Sequence, residues 1–226
     1  MMVDKGLLFF AGAAIFMGGY LLFFERKAVS SKEIVLISVL AAMAALGRVP
    51  FAVIPGAQPT TFMIIISGYI FGPMVGFIVG IAAPLVSNIF LGQGPWTIVQ
   101  MFTWGLCGIS AGFLGKIYPH APRWLLIVFG FFWGYLFGWI MNVWYWLSFI
   151  YPLNFKTWIY TYAASFWFDT VHAVTNFIFF YFLGSDFIVI LRRFKQKLSY
   201  SHQKVFFKSP APPLAERRGV EDEMFY

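Results

Sequence analysis

The side chains of this chain with the most chemical capacity fall between Trp158 and Asn176. Trp158, Tyr162, Ser165, Asp169, His172 and Asn176 recur at three- and four-residue steps. At about 100° per residue they lie within roughly 80° of one another, so a helix carries them as one stripe. A carboxylate one turn from an imidazole has three uses. It can brace the helix through an Asp–His hydrogen bond, contact a substrate, or pass a proton. Proton relays inside membranes use chains of such groups. Asp169 has no such company, because Asp4, Glu25, Glu33 and Asp186 sit at or beyond the ends of apolar runs. Bracing and substrate contact both stay open.

Amides supply the second chemical resource. Gln58, Asn88, Gln93, Asn142 and Asn154 can donate and accept hydrogen bonds without carrying a charge. Near them in the sequence stand Trp96, Trp144, Tyr145, Trp146, Tyr151 and Trp158. Such rings form the aromatic belt of a membrane protein. Together with a few amides they would also hold a large, flat or conjugated ligand. Several chemistries have no residues to run them. No Gly-x-x-x-x-Gly-Lys-Ser/Thr loop is present to cradle nucleotide phosphates. No His/Cys/Glu set has metal spacing, and no Gly-x-Ser-x-Gly elbow occurs. Cys107 lies within an apolar run and reads as a small packed hydrophobe.

These residues must be positioned by membrane helices. Of 226 residues, 60% are hydrophobic and only 11% charged, against about 25% charged in soluble domains. The net charge of +7 does not point to nucleic acid, because the basic residues cluster at helix ends, where they orient a chain in a bilayer. The expected fold class is an all-α integral membrane bundle. Residues 1–31 read as an extra N-terminal helix (Gly6–Phe24) and connector, with no small-residue cleavage site before Glu25-Arg26-Lys27. Residues 32–198 read as one membrane domain. Its expected spans are Glu33–Val49, Thr60–Phe71, Met74–Leu91, Thr97–Gly115, Trp124–Phe149 and Trp158–Leu191. Thr60–Phe71 rises only ~18 Å, short against a core of ~30 Å, so it is either buried among other helices or extended past Gly72. Gly76, Gly80, Pro84 and Asn88 follow at steps of four, and Gly130, Gly134, Gly138 and Asn142 repeat the pattern. Both read as seams for close helix approach. Residues 199–226, with Pro210, Pro212 and Pro213, read as a disordered tail.

Charge sets the expected orientation. Arg26, Lys27, Lys32, Lys116, Arg123, Arg192, Arg193, Lys195 and Lys197 lie on one side; Lys5, Arg48 and Lys156 lie on the other. The richer side is expected in the cytoplasm, with the N-terminus outside and the C-terminus inside. The loops Pro50–Pro59, Gly92–Trp96 and Ile150–Thr157 then face outward.

The stretch Gln58–Trp104 carries a family resemblance. Gln58-Pro59-Thr60, Ser67-Gly68-Tyr69, Phe71-Gly72-Pro73, Ser87-Asn88, Gly92-Gln93-Gly94-Pro95-Trp96 and Trp104-Gly105 resemble the substrate-binding (S) component of energy-coupling-factor (ECF) vitamin transporters. Within that family the stretch is most like the cobalamin group, and the wider likeness runs from about Ile34 to about Leu183. The resemblance implies a six-helix S-component bundle in a prokaryotic plasma membrane, with the N-terminal helix as an addition. It implies capture of a vitamin outside the cell, a corrinoid first and riboflavin or another vitamin as the alternative. It also implies a transmembrane coupling subunit and two cytoplasmic ATPases as partners. ATP is spent by those partners, and the chain needs no cofactor of its own. The loop Pro50–Pro59 would cap the substrate. Ala41 and Ala45, four residues apart on the first family helix, would meet the coupling subunit, although that spacing also suits packing within the chain. The residues expected to touch substrate are Gln58, Asn88, Gln93, Trp96, Asn142, Tyr145, Trp158, Tyr162, Asp169, His172 and Asn176. Two other classes remain: a membrane enzyme using Asp169 and His172 on a lipidic substrate, and a scaffold with no ligand.

Overall fold

The structure is a computed structural model. It describes residues 5–25 and 31–207, with side chains described for 5–22 and 31–197. Seven α-helices account for nearly all of it: α1 Lys5–Glu25, α2 Ser31–Arg48, α3 Pro59–Phe71, α4 Pro73–Leu91, α5 Trp96–Ile117, α6 Arg123–Phe149 and α7 Phe155–Phe207. Six are long and apolar enough to cross a membrane, and α3 is the short one. No strand occurs among the described residues.

Proline and glycine place the breaks. Pro59 and Pro73 open α3 and α4 at a position where a missing N–H costs nothing. Between α3 and α4 stands Gly72 alone, at φ +102°, a conformation that a side chain would strain. The chain therefore reverses with no loop. α3 does not extend past Gly72. Its twelve residues Pro59–Ile70 are all buried, so the short helix is the centre of the bundle.

Glycine seams draw the helices around it. α5 packs most closely on α4 and then on α3. A Cβ on Gly108 would overlap the backbone of Gly76, and one on Gly80 would overlap the Trp104 carbonyl. Backbones in direct contact are what small residues permit in membrane helices, where dispersion forces rather than water exclusion hold the bundle. On the other side Gly134 of α6 lies against Ala173 of α7. Aromatic rings fill the rest: Phe62 packs on Phe180 and Phe187, with centroids 4.9 and 5.4 Å away.

α1 lies on the outside of this unit. It rests on α5 and α6, with Tyr20 4.2 Å from Phe77 and Phe9 6.1 Å from Phe102 between ring centroids. Most of its surface stays exposed.

α7 does not give way to a structureless tail at Ser199; it continues as helix to Phe207. Arg, Lys and Gln are good helix formers, and no Gly or Pro falls between Gly184 and Pro210. Pro210, Pro212, Pro213 and the rest of the expected tail lie outside the described residues, as do Arg26 and Lys27. The compact unit that holds the bundle ends at Leu191, and α7 from Arg192 belongs to a second unit. On α2 the two alanines expected to meet the coupling subunit face the bundle. Ala41 and Ala45 are only 6% and 1% exposed. The face that α2 leaves open is instead Val35, Ser38, Val39, Ala42, Met43 and Leu46.

The glycine seam is testable. Gly108→Ala should lower stability by ~1–3 kcal/mol through overpacking, read as a fall in thermal midpoint in detergent. Gly12→Ala in α1, where a Cβ would meet nothing within 4 Å, should not. Equal midpoints for the two variants would refute the seam.

Candidate functional site

The polar side chains of the bundle collect where α2, α4 and α6 end and α3, α5 and α7 begin. The loops Pro50–Pro59, Gly92–Trp96 and Ile150–Thr157 make these connections, and the first reaches α7 at Phe168, Val171 and Phe179, well along the helix from the third. The loop after α2 makes one 3₁₀ turn at Pro50–Val53 and then returns across the bundle. Gly56, at φ +90°, sits so close to the Phe168 carbonyl and Val171 that no Cβ fits. The loop therefore touches α7 beside Asp169 and His172.

Beneath that loop lies a polar cluster built by five helices, two hydrogen-bonded chains joined where Arg48 lies over Trp104. Arg48, in the last turn of α2, donates from one terminal nitrogen to Ser87 Oγ at 3.0 Å and Asn88 Oδ1 at 2.7 Å. Its guanidinium stands 5.1 Å from the centroid of the Trp104 ring. Asn88, 1% exposed, donates to Thr97 Oγ1 at 2.9 Å and Gln100 Oε1 at 2.8 Å on α5. Thr97 donates to Gln93 Oε1 at 2.9 Å, and Gln93 closes the turn on the Leu85 carbonyl at 2.8 Å. Trp104, fully buried, donates from its indole N–H to Thr61 Oγ1 at 2.8 Å. Thr61 in turn meets His172 Nε2 at 2.7 Å. Phe137 closes the ring of contacts, 4.5 Å from Trp104 and 5.1 Å from His172 between centroids. Gln58 opens α3 one turn before Thr61, and its side-chain carbonyl is enclosed without a partner.

A second group links α6 to α7. Asn142 donates to Ser165 Oγ at 2.6 Å, and Ser165 donates to Asp169 Oδ2 at 2.9 Å. The other carboxylate oxygen lies where a Cβ on Gly138 would sit. The α6 glycine row is thus also the niche for the Asp169 carboxylate of α7. An open groove of about 530 Å³ runs beside this group, lined by Asn142, Tyr145, Tyr160, Thr161, Ser165 and Phe168 among others. Another, of about 780 Å³, is lined by Trp139, Trp158, Ile159, Tyr162, Ala163 and Phe166.

Profile and pairwise comparison bear on what this arrangement serves. The family model of the ECF transporter substrate-specific component matches residues 32–184. The chain belongs to that family. Similar curated proteins are UPF0397 proteins of two bacterial species. That of Vibrio atlanticus is 30% identical over 99 residues, 42% of this chain and 52% of the relative. Those of two strains of Aliivibrio fischeri are 30% identical over 95 residues, 40% of this chain and 49% of theirs. The chain thus spans about half the length of these relatives. No solved structure matches it.

In this S component the residues singled out from sequence divide into separate groups. Asn88, Gln93 and His172 join the cluster under the loop, and Gln58 stands on the same first turn of α3 as Thr61. Asn142 and Asp169 form the α6–α7 group, with Tyr145 on its groove. Trp158 and Tyr162 line the other groove, with the Tyr162 hydroxyl donating to the Trp139 carbonyl at 3.0 Å. Trp96 is exposed and folds its ring back over Gly94. Asn176 is a helix clamp: fully buried, it donates to the Gly130 carbonyl at 2.9 Å. The single stripe on α7 therefore serves at least three environments. Asp169 and His172 do not bond each other; each has its own partner on another residue.

Sequence reasoning missed Arg48, Thr61, Gln100 and Trp104 as members of the site. Arg48 reads as a helix-end charge. Trp104 and Thr61 lie in the stretch that carries the family resemblance, but nothing in their spacing shows that an indole and a hydroxyl meet.

The niche for Asp169 can be probed by a double-mutant cycle. Gly138→Ala should displace the carboxylate and destabilise the fold by ~1–3 kcal/mol. In the background of Asp169→Ala the same change should cost less, with a coupling of ~0.5–3 kcal/mol. Strict additivity in thermal or denaturant unfolding would show that Gly138 and Asp169 do not share the niche.

Proposed function

We propose that this chain is the vitamin-capturing membrane subunit of an ECF-type transporter, and that capture takes place at the polar cluster under the Pro50–Pro59 loop. The observation that carries the reading is that cluster itself. Arg48, Asn88, Thr61, Trp104 and His172 join five helices of an otherwise apolar bundle at one end. Buried polar groups are costly in a membrane protein, and where they converge they mark a substrate path. The positive-inside count turns this end outward, with the N-terminus outside and the C-terminus in the cytoplasm.

Corrinoid is the leading ligand, on the residues of Gln58–Trp104 that resemble the cobalamin group. A flavin is the alternative. Both are large conjugated molecules suited to indole and phenyl walls with amide hydrogen bonds. With no phosphate loop in the sequence, uphill transport takes its energy from partners: a transmembrane coupling subunit and two cytoplasmic ATPases in the plasma membrane of a prokaryote.

The lipid-enzyme reading is disfavoured by geometry. That reading joins Asp169 and His172 in one site, and Asp169 bonds Ser165 rather than His172. His172 faces Thr61 instead.

Calorimetry of the purified chain against a vitamin panel tests the proposal. One vitamin should bind saturably. Asn88→Ala and Trp104→Phe should each weaken it by ~1–3 kcal/mol, the cost of stranding a buried polar partner. A folded chain that binds no vitamin would contradict the reading. So would binding that is lost in Asn142→Ala and untouched in Asn88→Ala, since that places the ligand in the α6–α7 groove.

A further inference from the structure

We propose that Arg48 is the anion-recognising residue of this site, and that the captured molecule presents a phosphate or carboxylate to it. The inference rests on the capture site just proposed and names the chemistry of its ligand.

The guanidinium has five N–H donors in a planar fork. Arg48 uses one terminal nitrogen, on Ser87 and Asn88. Among the described residues its secondary nitrogen and other terminal nitrogen have no hydrogen-bond partner, and no carboxylate lies in ion-pair contact with it. Its neighbours are a hydroxyl, an amide and an indole face, which hold and orient the fork without neutralising it. Asp169, the acid of α7 nearest this cluster, is spent elsewhere: it accepts from Ser165 and lies against Gly138. Arg48 and Asp169 therefore do not pair with each other. A cation in such a place, held by neutral groups and missing its counter-charge, calls for one from outside the chain.

The direction of the side chain selects the source. An arginine at a helix end that serves the lipid surface extends outward to the headgroups. Arg48 does the reverse. Its head stacks on Trp104, the ninth residue of α5 and so ~12 Å below the start of that helix. It also bonds Asn88, which is buried among α4 and α5. A headgroup would have to leave its layer to reach it, whereas a ligand beneath the Pro50–Pro59 loop is already there. Gln58, on the adjoining first turn of α3, has its side-chain carbonyl enclosed and unpartnered; as an acceptor it would meet a donor group of the ligand rather than its anion. A planar fork with free parallel donors matches a phosphate or carboxylate in bidentate fashion, which a lysine ammonium cannot do.

The test uses matched ligands on the full chain in phosphatidylcholine nanodiscs. Cobalamin, which carries a phosphodiester, is compared with cobinamide, which lacks it; flavin mononucleotide is compared with riboflavin. Inorganic phosphate is titrated as a probe that assumes nothing about the rest of the ligand, with thermal midpoint as the readout. A last sample replaces part of the lipid with phosphatidylglycerol. The wild-type chain should favour the phosphate-bearing member of the pair it binds by about tenfold or more. Arg48→Gln should collapse that ratio towards one. Arg48→Lys, which keeps the charge and loses the fork, should reduce it and serves alone if the glutamine variant does not fold. Equal affinity for the two members, or a ratio that survives both substitutions, overturns the proposal. Stabilisation by phosphatidylglycerol alone, lost in the variants, also overturns it, because the anion is then a headgroup. If no vitamin binds but phosphate protects the wild-type chain and not the variants, the anion site stands and vitamin capture falls. If neither vitamins nor phosphate act, both fall.

Discussion

The direct contact between the backbones of α3, α4 and α5 is the constraint on which the rest of this structure depends. Gly68, Gly76 and Gly108 leave no room for a single methyl group where these helices meet. That closeness brings Trp104 of α5 within hydrogen-bond reach of Thr61 on α3, and Asn88 of α4 within reach of Thr97 and Gln100. Side-chain hydrogen bonds tolerate only tenths of an ångström. A bundle spaced by leucines would hold the same residues and lose most of the network. The same seam lets a thirteen-residue helix lie wholly inside a membrane protein, since its polar backbone is satisfied within the helix and its surface is covered by neighbours.

From that frame the chemistry of the site follows. A bundle driven together by dispersion forces spends few polar groups, so those it keeps at one end are informative. The loop over them is held by Gly56 against α7, which ties it to the helix that carries Asp169 and His172. Of Asp169, His172 and Asn176 on α7, Asp169 and Asn176 are used to join α7 to α6. His172 is the one that reaches across to α3 and the candidate site.

Helices, breaks and glycine seams were legible in the sequence because each has a local signature. Gly72-Pro73 stops one helix and starts the next, and glycines at steps of four mark a close face. The site was legible only in part. Asn88, Gln93 and His172 stand out as polar residues in apolar runs. Arg48 does not, because a basic residue at the end of a span is the ordinary way to orient it, and the sequence carries no sign that this one turns inward over an indole. Ala41 and Ala45 show the opposite limit. Their spacing announces a close contact but not the partner, and the structure spends both inside the chain. The length of α7 was underestimated for a compositional reason: a run of Arg, Lys and Gln looks like a solvated tail and is equally good helix.

The most direct test of the account is amide hydrogen exchange on the full chain, with and without the vitamin that it binds. If capture takes place beneath the Pro50–Pro59 loop, ligand should slow exchange across residues 50–58 and at 92–97, where the two turns overlie Arg48 and Asn88. Protection confined to residues 142–165, with the Pro50–Pro59 loop exchanging as before, would place the ligand in the groove between α6 and α7 and contradict the account.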